Sequence, residues 1–404
     1  MHIHPFPALT PAPELTEQVA SVPYDVVDTS EARELAAGNP HSFLHVVRPE
    51  IDLEEGVDLY SDPVYQQAVD NFKRLQDEGT LVRDSGDCLY VYRQVMGDHV
   101  QRGLVCGCNI EDYEVRILTH EKTRRDKEDD RSRHVSELSA HTGPVFLAYA
   151  DDASVDALIA DVENGEPMFD FTAPDGIQHT GWRVSDPAAL VGAMEAVPRA
   201  YVADGHHRSA SAVRVGKERR AAADTPDPAA EYERFLTVLF PASQLKILAY
   251  NRSVHDLNGQ TAEAFLEAVK GVMSVEPVTD PVPASQGQIC MYLDGSWYRL
   301  DWDADETLDP VAALDVSILQ ERILSPLLGI DDPRTSSRID FVGGIRGTSD
   351  LENRVNSGRA GVSFSLYPTS IEQLMAVADA GMMMPPKSTW FEPKLRSGLF
   401  VHTF

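Results

Sequence analysis

The run Tyr201–Arg208, YVADGHHR, sets an aspartate, a glycine, two histidines and an arginine side by side where the pattern changes from β-prone to alanine-rich and helical. Gly205 supplies a tight turn, so the residues after it stand where a helix begins. There the first amides lack intrahelical acceptors and the helix end carries about half a positive charge, an arrangement that suits phosphate. His206, His207 and Arg208 add donors, and Asp204 is placed to orient a histidine or help hold a cation. The plainer alternative makes Asp204 a helix cap and the histidines surface residues. So many ligand-type side chains on one strand-to-helix turn exceed what capping needs. The run is therefore read as a phosphate cradle made by Gly205, His206, His207 and Arg208, with Asp204 among the catalytic candidates.

A cradle holds a phosphate but does not by itself move a proton or seat an acceptor. The charged run from Thr119 to Leu138, THEKTRRDKEDDRSRHVSEL, offers Glu121 as a carboxylate and Arg124 and Arg125 as guanidinium groups suited to phosphate or carboxylate. Its alternative is a solvated helix face. Near the start, SVPYDVVDTSEARELAAG combines a short apolar strand with Asp25 at its end, then Asp28 and a helix beginning near Thr29. Asp25 is a candidate general base or cation ligand, whereas Asp28 reads as an ordinary cap. His45 and Arg48 are expected in an apolar strand. Lys387, after two prolines in MPPKSTWFEPKLRSGL, sits in a rigid, donor-rich loop and is a candidate for binding substrate; a solvated lysine is the alternative.

These residues need elements to position them, and the chain mixes both periodicities. A helix opens at Asp62-Pro63, repeats Val64, Ala68, Phe72 and Leu75 on one face, and stops at Gly79. Leu89 to Val95 and Val100 to Ile110 flank Gly97-Asp98 and predict a hairpin. Ile289 to Leu293 and Ser296 to Leu300 flank Asp294-Gly295 and predict another with a type I′ turn. Further strands are expected at Val145 to Tyr149, Ala200 to Ala203, Phe235 to Phe240 and Val362 to Leu366. Helices are expected at Thr261 to Lys270, Asp315 to Leu328 and Thr369 to Ala380, the last behind a Thr369-x-x-Glu372 capping box. The class is α+β with mixed sheets and antiparallel hairpins, not a doubly wound Rossmann sheet.

Composition bounds the partners. The chain has 404 residues, 43% hydrophobic and 25% charged, with a formal net charge of −29. That field repels nucleic acid and anionic lipid, so any phosphate must be held by local donors, with a divalent cation to offset charge. No window approaches the roughly 20 apolar residues of a membrane span, and the start has no basic and apolar leader pattern, so a cytoplasmic location is expected. Cys88, Cys106, Cys108 and Cys290 do not make a disulfide framework or a C-x-x-C pair. GGIRG at 343–347 is neither a dinucleotide fingerprint nor a P-loop, and no G-x-S-x-G or H-E-x-x-H occurs. The adjacent His206 and His207 point in different directions from an extended turn, which makes joint zinc ligation awkward.

VPYDVVD, HEKTRRDKEDDR, YVADGHHRSASA, RIDFVGG and MPPKSTWFEPKLRSGL together resemble the bacterial and archaeal family catalogued as domain of unknown function 1015. The DGHHR turn of that family is similar to the phosphate-binding turn of the ParB/sulfiredoxin-like fold, whose members include free-serine kinases. The resemblance implies a ParB/sulfiredoxin-like core with large insertions: a phosphate-binding lobe over 1–220 and a second α+β lobe over 221–404 that closes on the site. It also implies a phosphoryl-transfer role; the cradle in so acidic a chain then leads to the expectation of transfer to a small hydroxylated metabolite, free L-serine first, from ATP, ADP or pyrophosphate with magnesium. Asp25 or Glu121 would accept the hydroxyl proton, and Arg124, Arg125 or Lys387 would hold the acceptor. Residues holding a resident metal are not assigned. Ser209 and Ser211 stand where many relatives carry bulkier residues, which bears on the substrate. A non-catalytic nucleotide-binding protein and a metal-dependent hydrolase using His206 or His207 are the rival readings.

Overall fold

The computed structural model describes every residue except Ala304 and Glu306, and it divides into two compact units. One comprises Met1–Leu245 together with Pro393–Phe404, and the other Lys246–Glu392. The boundary expected after residue 220 thus falls after Leu245, and the last residues return to the first unit. The reason lies in the strand Arg234–Pro241, which pairs with both Val145–Tyr149 and His99–Asn109 and so belongs to the first sheet.

That sheet has nine strands and is mixed. Leu89–Met96 and His99–Asn109 form the expected hairpin, and Ala200–Asp204 lies between Ile117–Leu118, to which it is parallel, and Val145–Tyr149, to which it is antiparallel. Apolar side chains from its inner strands, among them Leu104, Leu147, Val202, Phe235 and Leu239, are buried in one core. A second core gathers Phe43, Leu44, Val46, Val47, Ala68, Phe72 and Leu75 under the N-terminal helices. The helix Asp62–Asp77 has Ser61 as its N-cap, one residue ahead of the expected Asp62, and Gly79 follows it at φ +75°.

Two helices frame the region of interest. Arg125–Leu138 packs along His206–Ala222, where Ser211 Oγ donates to the Glu128 carbonyl at 3.2 Å and Arg219 Nη2 to that of Ser136 at 2.9 Å. The charged run is therefore not simply a solvated face: Asp130, Ser132 and His134 are buried in it. The helix His206–Ala222 also runs close to the turn Glu231–Glu233, where a Cβ at Gly216 would stand 2.4 Å from the Tyr232 carbonyl.

The second unit carries a six-stranded antiparallel sheet in which Gln288–Leu293 and Ser296–Asp301 form the predicted hairpin. Asp294 at φ +44° and Gly295 at +77° give the two left-handed residues that a type I′ turn requires. The capping box near residue 370 is formed by Ser370 and Gln373 instead of Thr369 and Glu372, because the Thr369 hydroxyl donates to the Ser388 carbonyl. Asp315–Leu319 is helical but widens into a π turn over Gln320–Leu324, which shortens the helix expected to reach Leu328.

Two local expectations fail at the N-terminus. Ser21 makes only an isolated bridge to Ser397, so Asp25 does not end a strand and lies exposed in a turn. Leu44–Val47 is a helical turn, not a strand, and His45 and Arg48 are tied to Asp52 and Glu50. A four-residue apolar run cannot by itself distinguish the two periods. Asp28 does cap the helix Thr29–Ala36: it accepts from the Glu31 amide at 2.8 Å while its own amide donates to Glu31 at 2.9 Å. Asp28→Ala is expected to lower unfolding free energy by about 1 kcal/mol in urea titration, and an unchanged midpoint would contradict that role.

Candidate functional site

The strand Ala200–Asp204 breaks register with its antiparallel neighbour between Val202 and Asp204, and the chain then turns at Gly205 with φ +96° and ψ +31°. The helix starts at once with His206, three residues before the alanine-rich stretch. Its first amide with a helical acceptor is that of Ser209, which donates to the Gly205 carbonyl at 2.9 Å. The amides of His206, His207 and Arg208 therefore precede the intrahelical ladder.

Asp204 is the centre of charge here. Its Oδ1 accepts from the Gly205 amide at 3.0 Å, and its Oδ2 faces Arg208 Nη2 at 3.2 Å and Lys394 Nζ at 3.6 Å. Burial pushes this carboxyl up, but Lys394, Arg208 and His206 outweigh it and hold it well below the usual carboxylate range. A carboxylate held down in this way is a weak proton acceptor. Arg208 also donates to the Pro144 carbonyl, and its guanidinium folds back so that a Cβ on Gly205 would meet it at 3.1 Å. It stays charged against burial because of Asp204 first, then Asp25 and Tyr24. As it stands, the guanidinium fills the space in front of Gly205.

His206 is buried edge-on against His120, with ring centroids 4.5 Å apart at 88°. His206 Nε2, both ring nitrogens of His120 and Arg208 Nε are buried without hydrogen-bond partners. His207 Nε2 accepts from the Arg124 amide at 3.0 Å. These two links bracket Glu121 and hold its segment beside the turn. The structure thus brings together Asp204, Gly205, His206, His207 and Arg208, with Asp25 near Arg208 and Glu121 on the adjoining segment.

The guanidinium groups of Arg124 and Arg125 turn elsewhere: Arg124 pairs with Asp126 at 2.8 Å, and Arg125 is 95% exposed beside Asp129. Lys387 belongs to the second unit, where it has φ +56° and stands 5.9 Å from the Tyr250 ring centre. Lys394, His120 and Tyr24 are site residues that sequence reasoning missed. Lys394 lies in the same terminal segment that suggested Lys387, and His120 immediately precedes Glu121.

Among the described residues, no cluster of three or more His, Cys, Asp or Glu side chains could hold a metal ion. Asp204 already faces two cations, so the side chains at the turn do not fit a magnesium cage. No described helix is long and apolar enough to cross a membrane.

A family model described as a protein of unknown function, DUF1015, matches residues 3–317. The chain belongs to this family. No curated protein matches the DUF1015 chain. Among solved structures, a free serine kinase variant in complex with ADP is similar at 12% identity and a TM-score of 0.36, covering 71% of this chain and 87% of its own. SbnI with a C-terminal truncation, from Staphylococcus aureus, is similar at 12% identity and 0.40, covering 72% and 85%. A conserved hypothetical protein from Pyrococcus furiosus gives 12% and 0.35, covering 72% and 93%. Likenesses this distant carry nothing about what the DUF1015 chain binds.

The buried histidines predict a pH dependence. Burial, against the pull of Asp204, brings His206 down from 6.5 to about 4, and burial with Arg131 does the same to His134. Folding therefore favours the neutral form, and this stabilisation is complete above about pH 6.5 and lost as pH falls toward 4. Denaturation midpoints should drop across that window, and His206→Asn should shrink the drop by on the order of 3 kcal/mol. A flat profile in the parent chain would refute the neutral, buried assignment.

Proposed function

We propose that this DUF1015 chain transfers a phosphoryl group to a small hydroxylated metabolite, with free L-serine the first acceptor to test and ATP, ADP or pyrophosphate as donor. One observation carries the reading. A left-handed glycine places the first helical amides, Arg208 and Lys394 around one point in a molecule of net charge −29. Positive potential gathered this locally suits an oxyanion, and phosphoryl transfer asks mainly for positioning and charge stabilisation.

Donor phosphate would compete with Asp204 for Arg208. Its arrival would swing the guanidinium off Gly205 and give Arg208 Nε the acceptor it lacks, while Lys394 keeps Asp204 paired. Asp25 and Glu121 are the carboxylates proposed to take the hydroxyl proton, since Asp204 is held down by its cations. Asp204 then serves to set the turn and its guanidinium. Magnesium, where used, would ride on the donor phosphates, and no step is assigned to it. The choice of serine rests on the sequence resemblance.

Purified chain given serine, each donor and magnesium should produce phosphoserine. No turnover with any donor over a screen of small alcohols would reject the activity, and nucleotide binding without product would select the non-catalytic reading. Arg208→Ala should weaken donor binding by about 1.5–3 kcal/mol, as expected for a lost charge-assisted bond, with Arg208→Lys recovering part of it. Calorimetry showing unchanged donor affinity in a folded Arg208→Ala protein would count against the cradle.

A further inference from the structure

We infer that the second unit carries a binding site for a free α-amino acid with an apolar side chain, in which Asp315 takes the ammonium group and Arg322 the carboxylate. The site lies at the open end of the predicted hairpin, where Gly287 leads into Gln288–Leu293 and Trp302 follows Ser296–Asp301. The helix that begins at Asp315 completes a cavity of about 300 Å³, lined by Gly287, Trp302, Leu308, Asp315, Ile318 and Arg322. That volume stands at the lower end of small-molecule sites.

Two opposite charges line this cavity, and neither is matched by the protein. Asp315 is 8% exposed, and its two oxygens lie 3.1 and 3.3 Å from the Gly287 amide that donates to them. Among the described residues, no cation pairs with it. Burial pushes the Asp315 carboxyl up to about 6 against that one bond. An asparagine would serve the Gly287 amide without the cost of burying an ionisable group. Arg322 likewise makes no ion pair with a described carboxylate. Asp305 feels its charge only weakly, because Asp305 Oδ1 accepts from the Thr307 amide at 2.9 Å and the Thr307 hydroxyl at 2.5 Å.

Asp315, Ile318 and Arg322 stand at i, i+3 and i+7, so the carboxylate and the guanidinium belong to one stripe with an apolar residue between them. Helical side chains lean toward the N-terminus, which carries the long Arg322 side chain back toward Asp315. Arg322 also lies within the π turn Gln320–Leu324, a distortion that recurs at functional sites. A free cation in the cavity would leave Arg322 opposed, and an anion would meet Asp315 with the exposed Asp303 and Asp305. One small ligand with both charges satisfies both groups through charge-assisted hydrogen bonds. Its remainder would rest on Trp302, Leu308 and Ile318, which favours an apolar side chain over a hydroxylated one.

The site does not rest on the phosphotransfer reading, and its test needs no turnover. Calorimetric titration of the full chain with L-leucine should show saturable binding. N-acetyl-leucine, which lacks the ammonium, and leucinamide, which lacks the carboxylate, should each bind roughly 10- to 100-fold more weakly, as for one lost charge-assisted bond. Asp315→Asn should lose the preference for leucine over N-acetyl-leucine and keep that over leucinamide, and Arg322→Gln should do the reverse. Should Asp315→Asn fail to fold, Arg322→Gln decides alone through leucinamide. Absence of binding by leucine, methionine and phenylalanine at millimolar concentration overturns the site. So does leucine binding that both substitutions leave unchanged in folded proteins. Calcium bound by the parent chain and lost in Asp315→Asn also overturns it, in favour of a cation site.

Discussion

A carboxylate at the end of a strand, facing two cations drawn from distant parts of the chain, organises the first unit. Asp204 receives Arg208 from the following helix and Lys394 from the returning C-terminal segment. Each contact fixes something different. Arg208 folds the first helical turn back over Gly205 and reaches the Pro144 carbonyl, while Lys394 ties the terminal strap to the same oxygen. Removing the carboxylate would leave two cations, each shielded from water, facing one another, a far larger penalty than loss of a surface ion pair. The same pairing explains why the bend can exist in so acidic a molecule: the negative charge at its centre is more than matched locally.

Much of the architecture was legible because it rests on short-range rules. Val362–Leu366, both hairpins and the Asp28 cap follow from alternation, turn chemistry and capping, and Val145–Tyr149 from a short continuous apolar run. The failures are equally local in cause. In the Phe43–Val47 run only His45 is polar and the other four side chains are enclosed by the N-terminal core, so one helical turn shows too little of a polar face to reveal its period. Thr369 lost its capping role to a hydrogen bond with Ser388, a residue nineteen positions away. The boundary between units depends on where Arg234–Pro241 pairs, and pairing partners are not written in the strand itself.

At the site, sequence reasoning located the turn but not what surrounds it. Gly205 was identifiable since only a glycine takes φ +96° without strain at the entrance of a helix. The outward turn of Arg124 and Arg125 was not, because their partners Asp126 and Asp129 sit on the same helix and satisfy them there. His120 and Lys394 escaped for the opposite reason: their partners are remote in sequence, and no spacing rule connects residue 120 with 206 or 394 with 204.

The polar atoms left without partners around this turn are themselves informative. A buried nitrogen that makes no hydrogen bond costs about 1–3 kcal/mol, and His206 Nε2, both nitrogens of His120 and Arg208 Nε lie together in that condition. Apolar side chains of similar volume would fill the same space without the penalty, as they do across the adjoining core of Leu147, Val202 and Leu239. On the phosphate-binding reading proposed above, polar groups kept at such a cost around one strand-to-helix bend suit a site that exchanges partners: Arg208 would release Asp204 to bind an oxyanion, and its unsatisfied Nε would make the bound arrangement richer in hydrogen bonds than the free one.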